Sequence, residues 1–246
     1  MKSNHARFAF ARLFEFWLVL ALVVFTSISI RLSELPLWND PVFFVHGERL
    51  MGTHDAYAWL AGAKGIGGYT GHFFSRLMAL LHQVTGLSLS EIGFWSPIIL
   101  VPLLAVPASL LAMTLGRPEG GIVFGILTTS GLGFLVRTRL GFCDTDLIAL
   151  FFPLAVSCAL AAWLILMREV ANRRNALTSV DAFLTAGIGL MGWAGVYSYP
   201  GNISLMFTTC VLSVVLIFLF VPAERREGAA MAVLLIFAMT FSGWVG

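Results

Sequence analysis

Long stretches of this chain carry no charged side chain, and a membrane is the environment that such stretches require. Residues 182–223 contain no Asp, Glu, Lys or Arg, which leaves room for two spans of about 20 residues each. Residues 8–30 are a further apolar stretch, charged only at Arg12 and Glu15. Other uncharged runs near spanning length occupy residues 92–116, 147–167 and 228–246. With 59% hydrophobic and 11% charged residues, the sequence excludes a soluble domain.

These runs predict an all-α polytopic membrane protein with about seven transmembrane helices. Tyr199-Pro-Gly-Asn202 is a strong turn sequence that divides the longest run in two. Basic residues flank the runs on what would be one side of the membrane: Lys2, Arg7, Arg12, Arg117, Arg168, Arg173, Arg174, Arg225 and Arg226. The positive-inside rule makes that side cytoplasmic, so the N-terminus is cytoplasmic and the loops around Asp55, Asp144 and Tyr199 are external. A net charge of +2 gives no reason to expect a nucleic-acid partner.

A long mixed segment, about residues 32–90, separates the first span from the second. Connections of this length are usually functional. Within it, the sequence from Asp55 to Ala63 predicts a short helix that begins at Thr53 or Asp55, and its aromatic residues Tyr57 and Trp59 suit the membrane interface. Residues 73–84 predict a second short helix.

The start of the second span has its own signals. Ser88 and Glu91 have the spacing of a capping box, which predicts that a helix begins there. Pro97, Pro102 and Pro107 recur every five residues and predict a bend in that span, which neighbouring helices can tolerate.

Two arginines and two aspartates lie together at the edge of a span, in Arg137-Thr-Arg139-Leu-Gly-Phe-Cys-Asp144-Thr-Asp146. Charged groups are costly there without partners, and a metal ion or a phosphate would satisfy both signs. The positive-inside rule disfavours Arg137 and Arg139 on the external side, which predicts a specific anionic partner such as Asp146 or a lipid phosphate. The alternative is that they are interface arginines whose charged ends reach water.

Asp55, Asp144 and Asp146 each stand close to a predicted helix start, and two interpretations are open. One is helix capping, in which a carboxylate accepts backbone N–H groups at the positive end of a helix. The other is a divalent-metal site, because Mg²⁺ and Mn²⁺ take oxygen ligands, often carboxylates together with a substrate phosphate. The two are compatible, since a capping carboxylate can also bind a metal.

Neighbouring residues have plainer interpretations. Cys143 is expected to be a packed small residue rather than a redox group. Tyr199 most simply builds a hairpin turn, with a substrate contact as the second interpretation. His54 could join a metal site, although a hard cation does not require it.

These motifs, in this order, resemble those of a known family. Thr53-His-Asp55-Ala-Tyr in the first external loop is followed, after the third span, by Arg137-Thr-x-x-Gly141-x-x-Asp144-Thr-Asp146. The chain resembles the N-terminal membrane part of the oligosaccharyltransferase catalytic subunit, the STT3 family, in its single-subunit bacterial form. The resemblance implies a GT-C type fold, of which residues 1–246 are the N-terminal part.

Members of that family move a glycan from a polyprenyl-diphosphate lipid to the asparagine of an Asn-x-Ser/Thr sequon. The resemblance therefore implies a glycosyltransferase that depends on a divalent metal, Mg²⁺ or Mn²⁺. The implied partners are the lipid bilayer, the polyprenyl-diphosphate-linked oligosaccharide and the acceptor polypeptide. The implied location is a bacterial inner membrane, with the active site on the periplasmic face.

Site roles are implied residue by residue. Asp55 resembles the first-loop acid that binds the metal and contacts the acceptor amide. Asp144 and Asp146 resemble the second acidic motif, with Asp144 a direct metal ligand and Asp146 a ligand or the support of one. Arg137 matches an arginine that orients these carboxylates, and Tyr199 resembles a tyrosine that faces the lipid-linked glycan.

Parts of the family pattern do not occur in these 246 residues. They are the Trp-Trp-Asp sequon-binding motif, a late external loop with a further catalytic glutamate, the C-terminal spans and the soluble C-terminal domain. We therefore expect the chain to be an N-terminal portion or a truncated gene product, and to be inactive by itself.

Two other function classes fit part of the pattern. Another GT-C glycosyltransferase that uses a lipid-linked sugar shares the acidic first loop but not the form of the second acidic motif. An ion-coupled transporter could use Asp144 and Asp146, although transporters usually place such carboxylates at mid-membrane between inverted repeats.

Overall fold

The computed structural model describes the backbone of residues 2–169 and 179–242, and the side chains of residues 11–166 and 181–242. In this part of the chain almost all regular structure is helical. The helices are α1 (Lys2–Leu32), α2 (Leu35–Trp38), α3 (His54–Ala63), α4 (Phe73–Thr85), α5 (Leu89–Leu100), α6 (Ala105–Leu115), α7 (Pro118–Ser130), α8 (Leu132–Arg137), α9 (Asp146–Ala149), α10 (Phe151–Glu169), α11 (Ser179–Ser198), α12 (Asn202–Phe220) and α13 (Ala223–Phe241).

Sheet is confined, among the described residues, to one two-stranded antiparallel hairpin. Strand β1 (Phe44–Val45) pairs with β2 (Glu48–Arg49), with Phe44 opposite Arg49. A 3₁₀ helix at Pro41–Phe43 leads into the hairpin.

The chain is an integral, all-α polytopic membrane protein, as the charge-free runs predicted. Four described segments are long and apolar enough to cross a membrane: Ala11–Trp38, Leu89–Leu115, Asp146–Leu166 and Asn202–Phe220. The other predicted spans are also helical, as α7 and α8, α11 and α13, with a break at Gly131 between α7 and α8. Five basic residues used to predict the orientation lie outside the described side chains: Lys2, Arg7, Arg168, Arg173 and Arg174.

The second span is broken at Pro102, whereas Pro97 lies inside α5 and Pro107 inside α6. Helix α5 continues into a 3₁₀ turn at Val101–Leu104 before α6 begins. Pro102 has no N–H to donate, and the tighter turn keeps its neighbours bonded. The capping box that opens this span is present, because Ser88 Oγ accepts the N–H of Glu91 while Glu91 accepts the N–H of Ser88.

The described chain forms two compact units. The first, here the loop unit, comprises Leu20–Ala105 and Ile122–Leu150, and so contains the long external loop and the acidic motif. Helix α3 begins where predicted, with Thr53 as its N-cap, and α4 ends at Gly86 in a left-handed conformation (φ +71°).

The second unit, here the helix unit, contains α10 to α13 together with the chain up to Val19 and Val106–Gly121. Its core is a continuous apolar cluster that includes Leu160, Trp163, Met206 and Ile217. Small residues bring its helices close together, as expected where lipid supplies no hydrophobic drive for association. A Cβ atom on Gly189 of α11 would lie 3.0 Å from the Met239 Cβ of α13.

Candidate functional site

The candidate site lies in the loop unit, between the end of α8 and the start of α9. Helix α8 ends at Arg137, and Thr138 at its C-cap leaves the helical conformation (φ −131°, ψ 30°). Gly141 then turns the chain with φ +76°, which a residue with a side chain rarely adopts. Asp146 is the first residue of α9, so the turn returns both carboxylates toward the arginine that ends α8.

Arg137 contacts both aspartates of the motif. Its Nε donates a hydrogen bond to Oδ2 of Asp146, and its Nη2 lies 3.7 Å from Oδ2 of Asp144. The Asp144 side chain is 18% exposed and that of Asp146 26%, against 65% for Arg137. Two largely covered carboxylates therefore converge on one guanidinium that is largely exposed to solvent, and an anionic group of a substrate could approach from that side.

Asp144 has a second partner, which the sequence did not suggest. The indole N–H of Trp59 in α3 donates a 3.0 Å hydrogen bond to Asp144 Oδ1. The same oxygen accepts the backbone N–H of Thr145 at 2.6 Å. Two hydrogen bonds to Oδ1, together with the Arg137 guanidinium beside Oδ2, fix the direction in which the Asp144 carboxylate points.

Trp59 packs against three aromatic residues of the long external loop. Its ring lies 4.2 Å from the Tyr69 ring and 5.7 Å from the rings of His72 and Phe74, measured between centroids. Ser75 Oγ donates to the Trp59 carbonyl. The sequence predicted an interface aromatic at this position, and only the fold shows that it binds the acidic motif.

Asp55 lies one helical turn before Trp59, about 6 Å along the axis of α3. Its side chain is half-exposed, and its Oδ1 lies 3.1 Å from His54 Nε2. Backbone bonding also links the two loops, since the Gly52 N–H donates to the Gly141 carbonyl at 2.9 Å. The fold thus brings the start of α3 and the acidic motif to the same part of the loop unit.

Glycine occupies both sides of this link, and added side chains would meet close neighbours there. A Cβ atom on Gly141 would lie 3.1 Å from the Trp38 ring, and the Gly141 N–H donates to the Phe94 carbonyl. A Cβ atom on Gly52 would overlap the Phe142 ring. Close approach of the two backbones, as well as the turn itself, explains the glycine inside the motif.

Arg139 has an anionic partner other than the ones predicted. Its Nε donates to Glu34 Oε1 at 2.8 Å. The partner is therefore Glu34 rather than Asp146, and Arg139 is not simply an interface arginine whose charged end reaches water. Glu34 follows the end of α1. This ion pair holds that end against residues 137–139, here called the arginine segment.

The capping interpretation is wrong for two of the three aspartates. Thr53 caps α3 by accepting the Ala56 N–H, so Asp55 lies inside the first turn. Asp146 is likewise inside α9, with Thr145 at the cap position. Of the three, Asp144 binds a backbone N–H at a helix start.

Cys143 is a packed residue, as expected. It is fully buried, and its thiol donates to the Met78 sulfur at 3.7 Å. The pKa of the Cys143 thiol is raised to about 12, chiefly by burial; a hydrogen bond with Ser96 lowers it in part, and the negative charge of Asp144 adds a smaller increase. A thiol of this kind does not form the reactive thiolate near neutral pH.

The metal and glycan assignments stay predictions. Within the described residues, no three His, Cys, Asp or Glu side chains come together closely enough to form a metal site. Asp144 and Asp146 nevertheless supply oxygen donors of the kind that Mg²⁺ and Mn²⁺ prefer, and they already share one cation. Tyr199 lies in the helix unit, at the turn between α11 and α12, where its carbonyl accepts the Asn202 N–H.

Comparison with known proteins matches the sequence to a family. The family model described as oligosaccharyl transferase STT3, N-terminal, covers residues 56–243. Two relatives from Campylobacter jejuni, one of serotype O:2 and one of strain RM1221, are named undecaprenyl-diphosphooligosaccharide–protein glycotransferase. Each is 26% identical over 173 residues, which is 67% of this chain and 23% of the relative. The chain thus spans about a quarter of the length of these curated relatives.

Proposed function

The chain belongs to the STT3 family of oligosaccharyl transferases, and we propose that it carries the acidic part of the centre that transfers a glycan to asparagine. The donor would be an oligosaccharide on a polyprenyl diphosphate, as the names of the two relatives suggest. The acceptor would be the asparagine of an Asn-x-Ser/Thr sequon. The observation that carries the proposal is the convergence of Asp144 and Asp146 on Arg137, with Trp59 bound to Asp144.

The chemical difficulty of this reaction lies in the acceptor. An asparagine amide nitrogen is a poor nucleophile because its lone pair is delocalised into the carbonyl. A carboxylate that accepts hydrogen bonds from the amide N–H groups opposes that delocalisation. Asp55 is suited to this role, because its side chain is half-exposed and its carboxylate is within 3.1 Å of the His54 imidazole, which helps to orient it.

A divalent ion, Mg²⁺ or Mn²⁺, fits the donor chemistry of Asp144 and Asp146. When bound, it would offset the negative charge that develops on the departing diphosphate. Asp144 is the better ligand of the two, since Trp59 and Thr145 hold its carboxylate in place. Asp146 is tied more directly to Arg137 and is suited to orient that arginine or to complete the ligand set.

Arg137 contributes positive charge beside the carboxylates. Its side chain is largely exposed, so part of the guanidinium is open to an approaching phosphate while the rest stays bound to the aspartates. Arginine is suited to such a position because its charge is permanent and its donors match phosphate oxygens.

We also propose which face of the membrane carries the acidic site. With the basic residues Arg117, Arg225 and Arg226 cytoplasmic, the loop unit carries its acidic site on the external face. In a bacterial inner membrane this is the periplasmic face, where the lipid donor and an exported polypeptide would meet. We further propose that these 246 residues alone do not complete the reaction, because they lack the sequon-binding motif expected for the family.

The experiment is a peptide glycosylation assay on the complete gene product in membranes or detergent. The substrates are a polyprenyl-diphosphate oligosaccharide and a fluorescent peptide that contains Asn-x-Thr, with a Gln-x-Thr peptide as control. We expect glycan on the asparagine peptide alone. Transfer to a lipid or free sugar instead would indicate another GT-C transferase, and metal-independent ion uptake into vesicles without transfer would indicate a transporter.

A further inference from the structure

A fully buried arginine, Arg31, hydrogen-bonds the residue next to Arg137 of the candidate site. Arg31, near the end of α1, has no exposed surface. Arg31 lies within the span Ala11–Trp38, where a buried charge is costly, so such residues are usually kept for a function. The hydrogen-bond partners of Arg31 are Ser27, Thr129 and Thr138, not Asp55, Asp144 or Asp146.

Each of the five N–H donors of Arg31 has an acceptor. Nε donates to the Thr138 carbonyl at 2.8 Å, and Nη2 donates to Thr138 Oγ1 at 2.6 Å and to the Thr129 carbonyl at 3.0 Å. Nη1 donates to the carbonyl and the hydroxyl of Ser27, at 3.1 and 3.0 Å. These acceptors are neutral oxygens, so the guanidinium acts here as a rigid five-pronged donor rather than as half of an ion pair.

The residue that receives two of these bonds is the centre of the arginine segment. Thr138 stands between Arg137, which contacts both aspartates, and Arg139, which binds Glu34. Thr138 is also where α8 ends and the backbone turns out of the helix. Arg31, on α1, therefore fixes the backbone at Thr138, and this backbone positions the Cα atom of the neighbouring Arg137.

We propose that Arg31 is a positioning residue that acts through Thr138 to hold Arg137 against Asp144 and Asp146. The proposal rests on the proposed function, because it assigns Arg31 to the same reaction. Lysine cannot replace it, since an ammonium has three donors on a flexible stem and cannot satisfy the five oxygens of Thr138, Thr129 and Ser27 that the guanidinium bonds.

The test is a double-mutant cycle in the complete gene product. Arg31→Lys is made alone and in an Arg137→Lys background, and kcat and KM for glycan transfer are measured for each. We expect Arg31→Lys to lower kcat about 10-fold, with little change in KM, a loss typical when a residue that supports a site is changed. In the Arg137→Lys background its effect should fall below about 2-fold, because residues that act through one another are not additive.

Two further variants serve as a control and as an independent test of the Arg31–Thr138 contact. Arg12→Lys is the matched control, since it makes the same substitution in the same helix at a residue outside the site, and it should leave kcat unchanged. Thr138→Val removes the Oγ1 acceptor and keeps the branched shape, and it should reproduce the loss if Arg31→Lys folds poorly. Equal losses from Arg31→Lys in both backgrounds would overturn the proposal, because Arg31 would then act independently of Arg137.

A second readout does not depend on activity. Hydrogen–deuterium exchange in residues 132–142 should rise in Arg31→Lys and stay unchanged in Arg12→Lys. If the wild-type protein transfers no glycan but this exchange rises, the proposed function fails while the hold of Arg31 on the arginine segment stands. Unchanged exchange in Arg31→Lys would overturn the proposal in either case.

Discussion

The indole N–H of Trp59 donates a hydrogen bond to Oδ1 of Asp144, 3.0 Å away, although the two residues stand 85 positions apart in the sequence. This bond joins the helix that carries Asp55 to the loop that carries the second acidic motif. The backbone bond from Gly52 to Gly141 joins the same two segments a few residues away. The candidate site is therefore built from two loops that hold each other.

Replacing Trp59 with phenylalanine should weaken the site without dismantling it. Phenylalanine keeps an aromatic ring beside Tyr69 and Phe74 and removes the donor to Asp144. A hydrogen bond to a charged group contributes about 1.5–3 kcal/mol, so we expect about a 10-fold fall in kcat for glycan transfer by the complete gene product. Trp17→Phe, at an exposed tryptophan of α1, is the matched control. Full activity in Trp59→Phe would show that the bond does not matter to the site.

Gly141→Ala should destabilise the loop unit. The residue has φ +76°, and the new Cβ would lie 3.1 Å from the Trp38 ring and 3.4 Å from the Gly52 nitrogen. Strain of this kind costs about 1–3 kcal/mol, which lowers the midpoint of thermal unfolding in detergent. Gly133→Ala in α8 is the control, because nothing lies within 4 Å of its added Cβ and alanine favours a helix. A Gly141→Ala midpoint no lower than that of Gly133→Ala would contradict the strain argument.

The thiol of Cys143 should resist alkylation. Because burial raises its pKa to about 12, its thiolate fraction stays very small between pH 7 and pH 9, whereas an exposed thiol with a pKa of about 8.5 becomes reactive in this range. The measurement is maleimide labelling against pH in a protein without Cys158 and Cys210. Gly68→Cys, in an open part of the external loop, should label rapidly in the same background. Labelling of Cys143 at a comparable rate in the folded protein would contradict its burial.

Local features of the fold were predictable because they depend on neighbouring residues. The Ser88–Glu91 capping box and the Thr53 cap of α3 involve bonds across three positions. The break after α5 follows from Pro102, which lacks an N–H. Charge-free runs predicted the helices for the same reason, since a membrane requires each segment to satisfy its own backbone bonds.

The contacts that define the candidate site were less predictable because they join distant parts of the chain. Charge complementarity suggested that Arg137 would meet Asp146, nine positions away. No comparable signal exists for Trp59, which looked like an ordinary interface aromatic, or for Arg31, which directly follows the first predicted apolar stretch. Arg139 shows the same limit, because opposite charge indicates an acidic partner but not that the partner is Glu34.

The most direct test of the account is glycan transfer by the complete gene product with Asp144→Asn, measured across a titration of Mg²⁺ or Mn²⁺. Glu48→Gln, at an exposed carboxylate of the β-hairpin, is the matched control. We predict that wild type and Glu48→Gln transfer glycan only when the metal is present. Asp144→Asn should be at least about 100-fold slower at every metal concentration while it unfolds at the same temperature. Transfer by Asp144→Asn at the wild-type rate would contradict the central claim, because the site would then not depend on that carboxylate.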